Sequence, residues 1–305
     1  MSLVEKINNL KKEKNAIILT HCYQNVEIDE VSDYVGDSLY LSQVAAKTDA
    51  DIIVFAGVYF MAQSAKILSP NKKVLLPNIQ SGCAMADMID VNSLKNFKAK
   101  HPNIPVVCYI NSTAEVKAEC DVCCTSSNAV KIVRSLNAPR VLFAPDTYLG
   151  NWVAKELDNV EVITFNGFCP IHMRIRVEDM NNSRKQYPNA LILAHPECHH
   201  DVSNIADFVG STKEIMEFAR KSDNKQFVIA TEKGVVDRLN RDSKLYNWGK
   251  KFILIDENII CPSMKNNTLE DIYETLLNET NEITLDEEII KKSRLCIDRM
   301  IELSK

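Results

Sequence analysis

Hydrophobic residues along this chain fall into short unbroken runs, and the runs return at a fixed interval. Ala16-Ile17-Ile18-Leu19 leads into His21-Cys22-Tyr23, residues 104–107 lead into Cys108-Tyr109-Ile110-Asn111, and Leu191-Ile192-Leu193-Ala194 leads into His195-Pro196-Glu197-Cys198. Runs of this kind predict parallel strands covered on both faces, because a half-exposed strand would alternate apolar and polar positions. His21 to Tyr109 is 88 residues, and Tyr109 to His195 is 86. Second runs at 51–56, 140–144 and 226–230 and third runs at 73–76, 160–164 and 251–255 follow in the same rhythm, with amphipathic stretches between them. A hydroxyl-bearing helix start lies between first and second runs each time: Asp37-Ser38 before Leu39, Ser126-Ser127 before Asn128, and Ser211-Thr212 before Lys213.

A β-α-β-α-β unit of about 87 residues used three times predicts an α/β protein of three similar αβα, doubly wound, parallel-sheet domains in pseudo-threefold arrangement around a central site. The expected boundaries are 1–84, 85–170 and 171–262, with a helical segment, 263–305, returning to the first domain. Ligands of open α/β sheets bind beyond the carboxyl ends of the strands. Three such ends aimed at one axis would gather His21 and Tyr23, Tyr109 and Asn111, and His195 and Glu197. Three helix N-termini would join them, each a seat for phosphate or carboxylate. The expected substrate is a small polyanion.

Composition narrows the class. A formal charge of -5 without basic clusters argues against a nucleic-acid partner. No apolar run reaches the roughly 18 residues of a membrane span, and the charged N-terminus has no secretory core, so a cytoplasmic location is expected. Ten cysteines are many for such a compartment, where thiols act as core filler, metal ligands or catalytic groups. Cys22, Cys108 and Cys296 lie in or beside apolar runs and read as filler. Cys83, Cys169 and Cys261, 86 and 92 residues apart, follow the third runs. They lack the local C-x₂-C pairing of structural zinc sites. Their spacing admits two readings, buried structural thiols or a metal centre. A cubane cluster on three thiolates would leave one iron open as a Lewis acid.

Several segments carry a resemblance. Pro77 to Asp87, around Ser81-Gly82-Cys83, Gly167-Phe168-Cys169-Pro170-Ile171-His172-Met173-Arg174 and Cys261-Pro262-Ser263-Met264-Lys265 resemble the cluster-ligand motifs of the quinolinate synthase family. Asp37-Ser38-Leu39, Thr125-Ser126-Ser127-Asn128-Ala129, His195-Pro196-Glu197-Cys198 and Thr231-Glu232-Lys233-Gly234 are similar to its other signatures, in order, over about residues 17–270. The resemblance implies a [4Fe–4S] cluster on Cys83, Cys169 and Cys261. It also implies condensation of iminoaspartate with dihydroxyacetone phosphate to quinolinate for NAD synthesis, with functional coupling to an L-aspartate oxidase. Within it, Glu197 is expected as general base or acid, with Tyr23 and His21 assisting proton transfer. Tyr109 and Asn111 would orient the intermediate and bond its oxyanion. His172 and His195 would hold carboxylates, and Ser38, Ser126, Ser211 and Thr212 would seat phosphate or carboxylate oxygens.

Two other patterns compete. Cys120-x-x-Cys123-Cys124 has no second pair to complete a zinc site and reads as structural, with a redox-sensitive pair as the alternative. His195-x-x-Cys198-His199-His200 would suit a zinc hydrolase but leaves the three evenly spaced cysteines unexplained. A non-catalytic small-anion binder of doubly wound domains is the remaining alternative, and the cysteine content argues against it.

Overall fold

The computed structural model describes residues 1–305. Twelve strands form three sheets of four, all parallel: β1 (Ala16–His21), β2 (Tyr34–Gly36), β3 (Ile52–Ala56) and β4 (Lys73–Leu75); β5 (Val106–Tyr109), β6 (Val122–Cys124), β7 (Arg140–Ala144) and β8 (Glu161–Thr164); β9 (Leu191–Ala194), β10 (Phe208–Val209), β11 (Gln226–Ala230) and β12 (Lys251–Leu254). The strand orders, β2-β1-β3-β4, β6-β5-β7-β8 and β10-β9-β11-β12, are the same three times. Helices on both faces cover the Ile-, Val- and Leu-rich central strands, so each sheet is one αβα layer stack.

Each sheet has one strand more than the apolar runs predict. The extra edge strands β2, β6 and β10 are two or three residues long, too short to show as runs. A repeated side chain docks them. Asp33, Asp121 and Asp207 accept a hydrogen bond from the backbone N–H of Ile18, Val106 and Ile192, at 2.8, 2.7 and 2.7 Å. These aspartates stand 88 and 86 residues apart, so the signal was present in the repeat but carried by a polar residue. The run at 104–107 also starts two residues early: Pro105 has no N–H to give a ladder, and β5 begins at Val106.

With eight glycines in the chain, asparagine takes the left-handed turns: Asn15 (φ 47°) before β1 and Asn137 (φ 49°) before β7. Asparagine tolerates this region better than other side chains because it bonds its own neighbouring backbone. The final segment divides its packing. Helix Leu269–Asn278 lies on helix Leu3–Glu13 beside the first sheet, and residues 281–283 run along the open edge of β4 through Leu76 N–Asn281 O and Ile283 N–Val74 O bonds. Helix Glu287–Leu303 packs on β6 and on helices Tyr59–Leu68 and Ala114–Lys117, so it bridges the first and second sheets. No helix is long and apolar enough to cross a membrane.

Candidate active site

The carboxyl ends of the three sheets open into one cavity of about 280 Å³. His21, Tyr23, Ser38, Cys83, Tyr109, Asn111, Ser126, Cys169, His172, His195, Glu197, Thr212 and Cys261 all line it. Ser211 does not. It is the buried N-cap of helix Thr212–Lys221, its hydroxyl 2.7 Å from Glu214 Oε2 in a capping box. The other expected helix starts shift by one or two residues. Asp37 caps helix Ser38–Lys47, and Asn128 precedes helix Ala129–Ser135, which leaves the Ser38 and Ser126 hydroxyls free of capping.

After the first strands of the first and third sheets, a histidine turns back on its own loop. His21 Nδ1 accepts the N–H of Tyr23 at 3.2 Å, and His195 Nδ1 accepts the N–H of Glu197 at 3.3 Å. Both rings are therefore neutral with the proton on Nε2, and His195 Nε2 lies 3.3 Å from Ser126 Oγ. Burial is the main cause that lowers both imidazoles to about 3; Arg238 and Lys265 add to it at His21.

Glu197 is buried at the centre, 4% exposed. Tyr109 Oη donates to its Oε1 at 2.5 Å, and His172 Nδ1 lies 2.8 Å from its Oε2, an ion-pair distance outside hydrogen-bond alignment. Burial alone would raise this carboxyl, but His172, His195 and the Tyr109 hydroxyl outweigh it and hold it at about 2. Burial and the Glu197 charge push the Tyr109 phenol well up, so it keeps its proton and donates. From His172 the network continues through Thr231: His172 Nε2 is 2.8 Å from Thr231 Oγ1, which is 3.0 Å from Tyr23 Oη, itself 2.9 Å from Thr212 Oγ1. One hydrogen-bonded path thus joins residues from all three sheets.

Thr231 and Glu232 carry no role legible in the sequence; their positions supply one. Glu232 is buried and ties the third cysteine loop down, accepting from Gly234 N at 2.6 Å and Cys261 N at 3.2 Å, with Lys265 Nζ at 3.1 Å. Lys265 Nζ also donates to the Tyr23 carbonyl. Buried Arg238 donates to the carbonyls of Cys22 and Gln24 at 2.8 and 2.7 Å, fixing the first-sheet loop against the third sheet. Gly234 permits this approach, since a Cβ there would lie 2.8 Å from Cys22 O.

The three cavity cysteines share one setting. Each opens a tight turn and receives two backbone N–H groups: Met85 and Ala86 at Cys83, Ile171 and His172 at Cys169, Ser263 and Met264 at Cys261. Burial nonetheless raises all three thiols, Cys83 to about 12, and the Cys83 and Cys261 charges oppose each other. Amide N–H groups aimed at sulfur favour thiolate once a metal supplies the positive charge. The sulfurs surround the cavity and do not converge at single-ion distance; the one close-set group there is Cys169, His172 and Glu197, within 4.8 Å of one another. Three soft donors spread this way, from three loops, fit a polynuclear cluster better than one ion. The hydrolase pattern dissolves, because Cys198 is buried with its Sγ against Ala230 O at 3.5 Å while His199 and His200 face the surface with Asp201.

The sequence model of the family described as Quinolinate synthetase A protein matches residues 5–302. A protein of Alkaliphilus metalliredigens named quinolinate synthase is 52% identical over 302 residues, covering 99% of this chain and 98% of that protein. Proteins of the same name from Caldicellulosiruptor bescii and Aquifex aeolicus are 48% and 46% identical, each covering 99% of this chain and 98% and 94% of their own lengths.

Proposed function

The chain belongs to the quinolinate synthetase A family, and we propose that it condenses iminoaspartate with dihydroxyacetone phosphate to quinolinate, phosphate and water, for NAD biosynthesis. In this reading Cys83, Cys169 and Cys261 would hold a [4Fe–4S] cluster, which when bound would supply Lewis-acid activation of a substrate oxygen. The observation that carries the reading is the threefold setting of the cysteines, each thiol cradled by two N–H groups, around the cavity that also holds Glu197.

The remaining chemistry falls to the chain's own groups. Ring formation needs proton removal from carbon, a keto–aldo shift and dehydration, hence a base and a donor close together. Glu197, ionised at neutral pH, takes the proton. Tyr109, protonated and 2.5 Å away, donates to oxygen as charge develops there, and Asn111 orients the same group. His21 and His195, as neutral Nε2–H donors, and His172 hold the substrate carboxylates without presenting a full charge. Ser38, Ser126 and Thr212 seat phosphate or carboxylate oxygens at three helix starts. Ser211 serves by capping the helix that presents Thr212. Tyr23, linked through Thr231 to His172, carries protons between the first sheet and Glu197. A cytoplasmic enzyme receiving its unstable imine through functional coupling to an L-aspartate oxidase completes the proposal.

The test is iron and acid-labile sulfide per chain after anaerobic purification, followed by quinolinate formation. About four of each, with turnover that depends on them, is expected. Zinc without sulfide would move the metal to Cys169, His172 and Glu197, and no metal after anaerobic reconstitution would overturn the cluster.

A further inference from the structure

Four of the ten cysteines come together outside the cavity. Cys123, in β6, and Cys296, in helix Glu287–Leu303, are both buried, and their Sγ atoms are 3.1 Å apart. Cys108, in β5, and Cys120 neighbour this pair: Cys108 lies opposite Cys123 in the sheet with its Sγ 3.5 Å from Tyr109 O, and Cys120 Sγ lies 3.2 Å from Val116 O. The sulfurs string out as Cys120, Cys108, Cys123, Cys296, from a partly exposed thiol to the helix interface, and do not converge on one point as ligands of a single ion would. The sheet register explains the gathering, because Cys108 pairs with Cys123 across β5 and β6.

We propose that these four residues form a thiol–disulfide site, separate from the cavity cysteines, whose oxidised form is a Cys123–Cys296 bond pinning the C-terminal helix to the second sheet. Closing the bond needs the two sulfurs to approach by about 1 Å, since a disulfide spans about 2.05 Å. The oxidant is a small disulfide of the glutathione class. Cys120, whose thiol the Cys108 sulfur and burial push well up, gives up its proton as it attacks one sulfur of this disulfide and releases the first small thiol. Cys108 attacks Cys120 Sγ and releases the second, leaving Cys108–Cys120. Cys123 then attacks Cys108 Sγ and frees Cys120, and Cys296 attacks Cys123 Sγ and frees Cys108. Two protein thiols are oxidised by two electrons, and their protons end on the two small thiols.

The surroundings suit the middle step. Cys108 is held well below the usual thiol range, first by the Cys120 and Cys123 S–H groups and then, against the cost of burial, by Lys117. Lys117 is fully buried, donates to Ser112 O and lies 5.4 Å over the Phe60 ring.

The bond would reach the cavity without touching it. Tyr109, the donor to Glu197, follows Cys108 directly, and the loop Thr125–Ser127 follows Cys124. Asn128 at the end of that loop already bonds Ser304, just past the helix, at 2.7 Å. This inference is independent of the metal assignment.

The experiment treats anaerobically purified holoprotein with glutathione disulfide, alkylates free thiols and maps peptides without reduction. The expected result is a Cys123–Cys296 linked peptide. A Tm raised by about 5 °C or more, reversed by dithiothreitol, should accompany it, because the bond closes a loop of 173 residues. Cys296→Ser should lose both, and Cys120→Ser should reach the same linkage about tenfold or more slowly. Both thiols remaining free, or linkage to any other cysteine, overturns the site; an unchanged rate in Cys120→Ser overturns the relay. If Cys296→Ser fails to fold, the wild-type map and the Cys120→Ser rate decide alone.

Discussion

The two cysteine groups are made of the same residue and differ in everything else. Cys83, Cys169 and Cys261 sit on loops, one per sheet, partly exposed to a shared cavity, each with two backbone N–H groups aimed at sulfur. Cys108, Cys120, Cys123 and Cys296 gather at one sheet and its helix, and the groups facing them are mostly other thiols and one buried lysine. A thiol surrounded by amide N–H donors and open space is prepared for a ligand; a thiol surrounded by thiols is prepared for another sulfur. Position in the fold, more than sequence neighbourhood, separates the two chemistries.

The sharpest way to break this contrast is Cys169→Ser. Loss of iron, sulfide and detectable turnover together is expected, with glutathione-driven Cys123–Cys296 linkage intact; retention of full iron content and turnover would remove Cys169 from the ligand set. Glu197→Gln should keep the cluster's absorbance and lower kcat by about 100-fold or more, the usual scale for a proton-transfer group. Tyr109→Phe should cost about tenfold in kcat with a smaller change in KM, because one hydrogen bond to a charged group is lost while the carboxylate stays in place.

A pH series tests the cavity without assaying it. His21 and His195 are neutral in the folded chain down to about 3, whereas they titrate near 6.5 when unfolded. Between those values the unfolded chain binds more protons. Stability of the metal-free chain should therefore fall as pH drops from about 6.5 toward 3, by roughly 1.4 kcal/mol per pH unit for each histidine. Denaturant midpoints across that window check it, and His21→Gln or His195→Gln should each flatten the slope. The smallest effect is expected at the other cysteine group. Cys123→Ala should lower stability by about 1 kcal/mol, through the lost buried sulfur, with turnover within about twofold of the parent.

Much of this was legible along the chain. Repeated apolar runs specify parallel strands because burial on both faces leaves no polar position, and spacings of 88 and 86 residues specify three units of one design. The residues after those runs were legible as a site because strand ends are where α/β sheets bind ligands. Of that set, Ser211 alone does not line the cavity, and a serine that caps a helix and a serine beside the cap look alike in sequence. The edge strands were too short to carry a pattern, although Asp33, Asp121 and Asp207 marked them at the same interval.

Only the tertiary structure could assign Thr231, Glu232, Lys265 and Arg238, because each acts on a residue far away in sequence, as Arg238 does on Cys22 across 216 positions. The same holds for Cys296, which reads as filler in its helix until β6 arrives opposite it. The sequence by itself determined the repeat, the strands and the residues delivered to their ends, which depend on local polarity and period. Which thiol meets an amide, a lysine or another thiol was decided by how three sheets and one helix pack, because hydrogen bonds and sulfur contacts reach only a few ångströms.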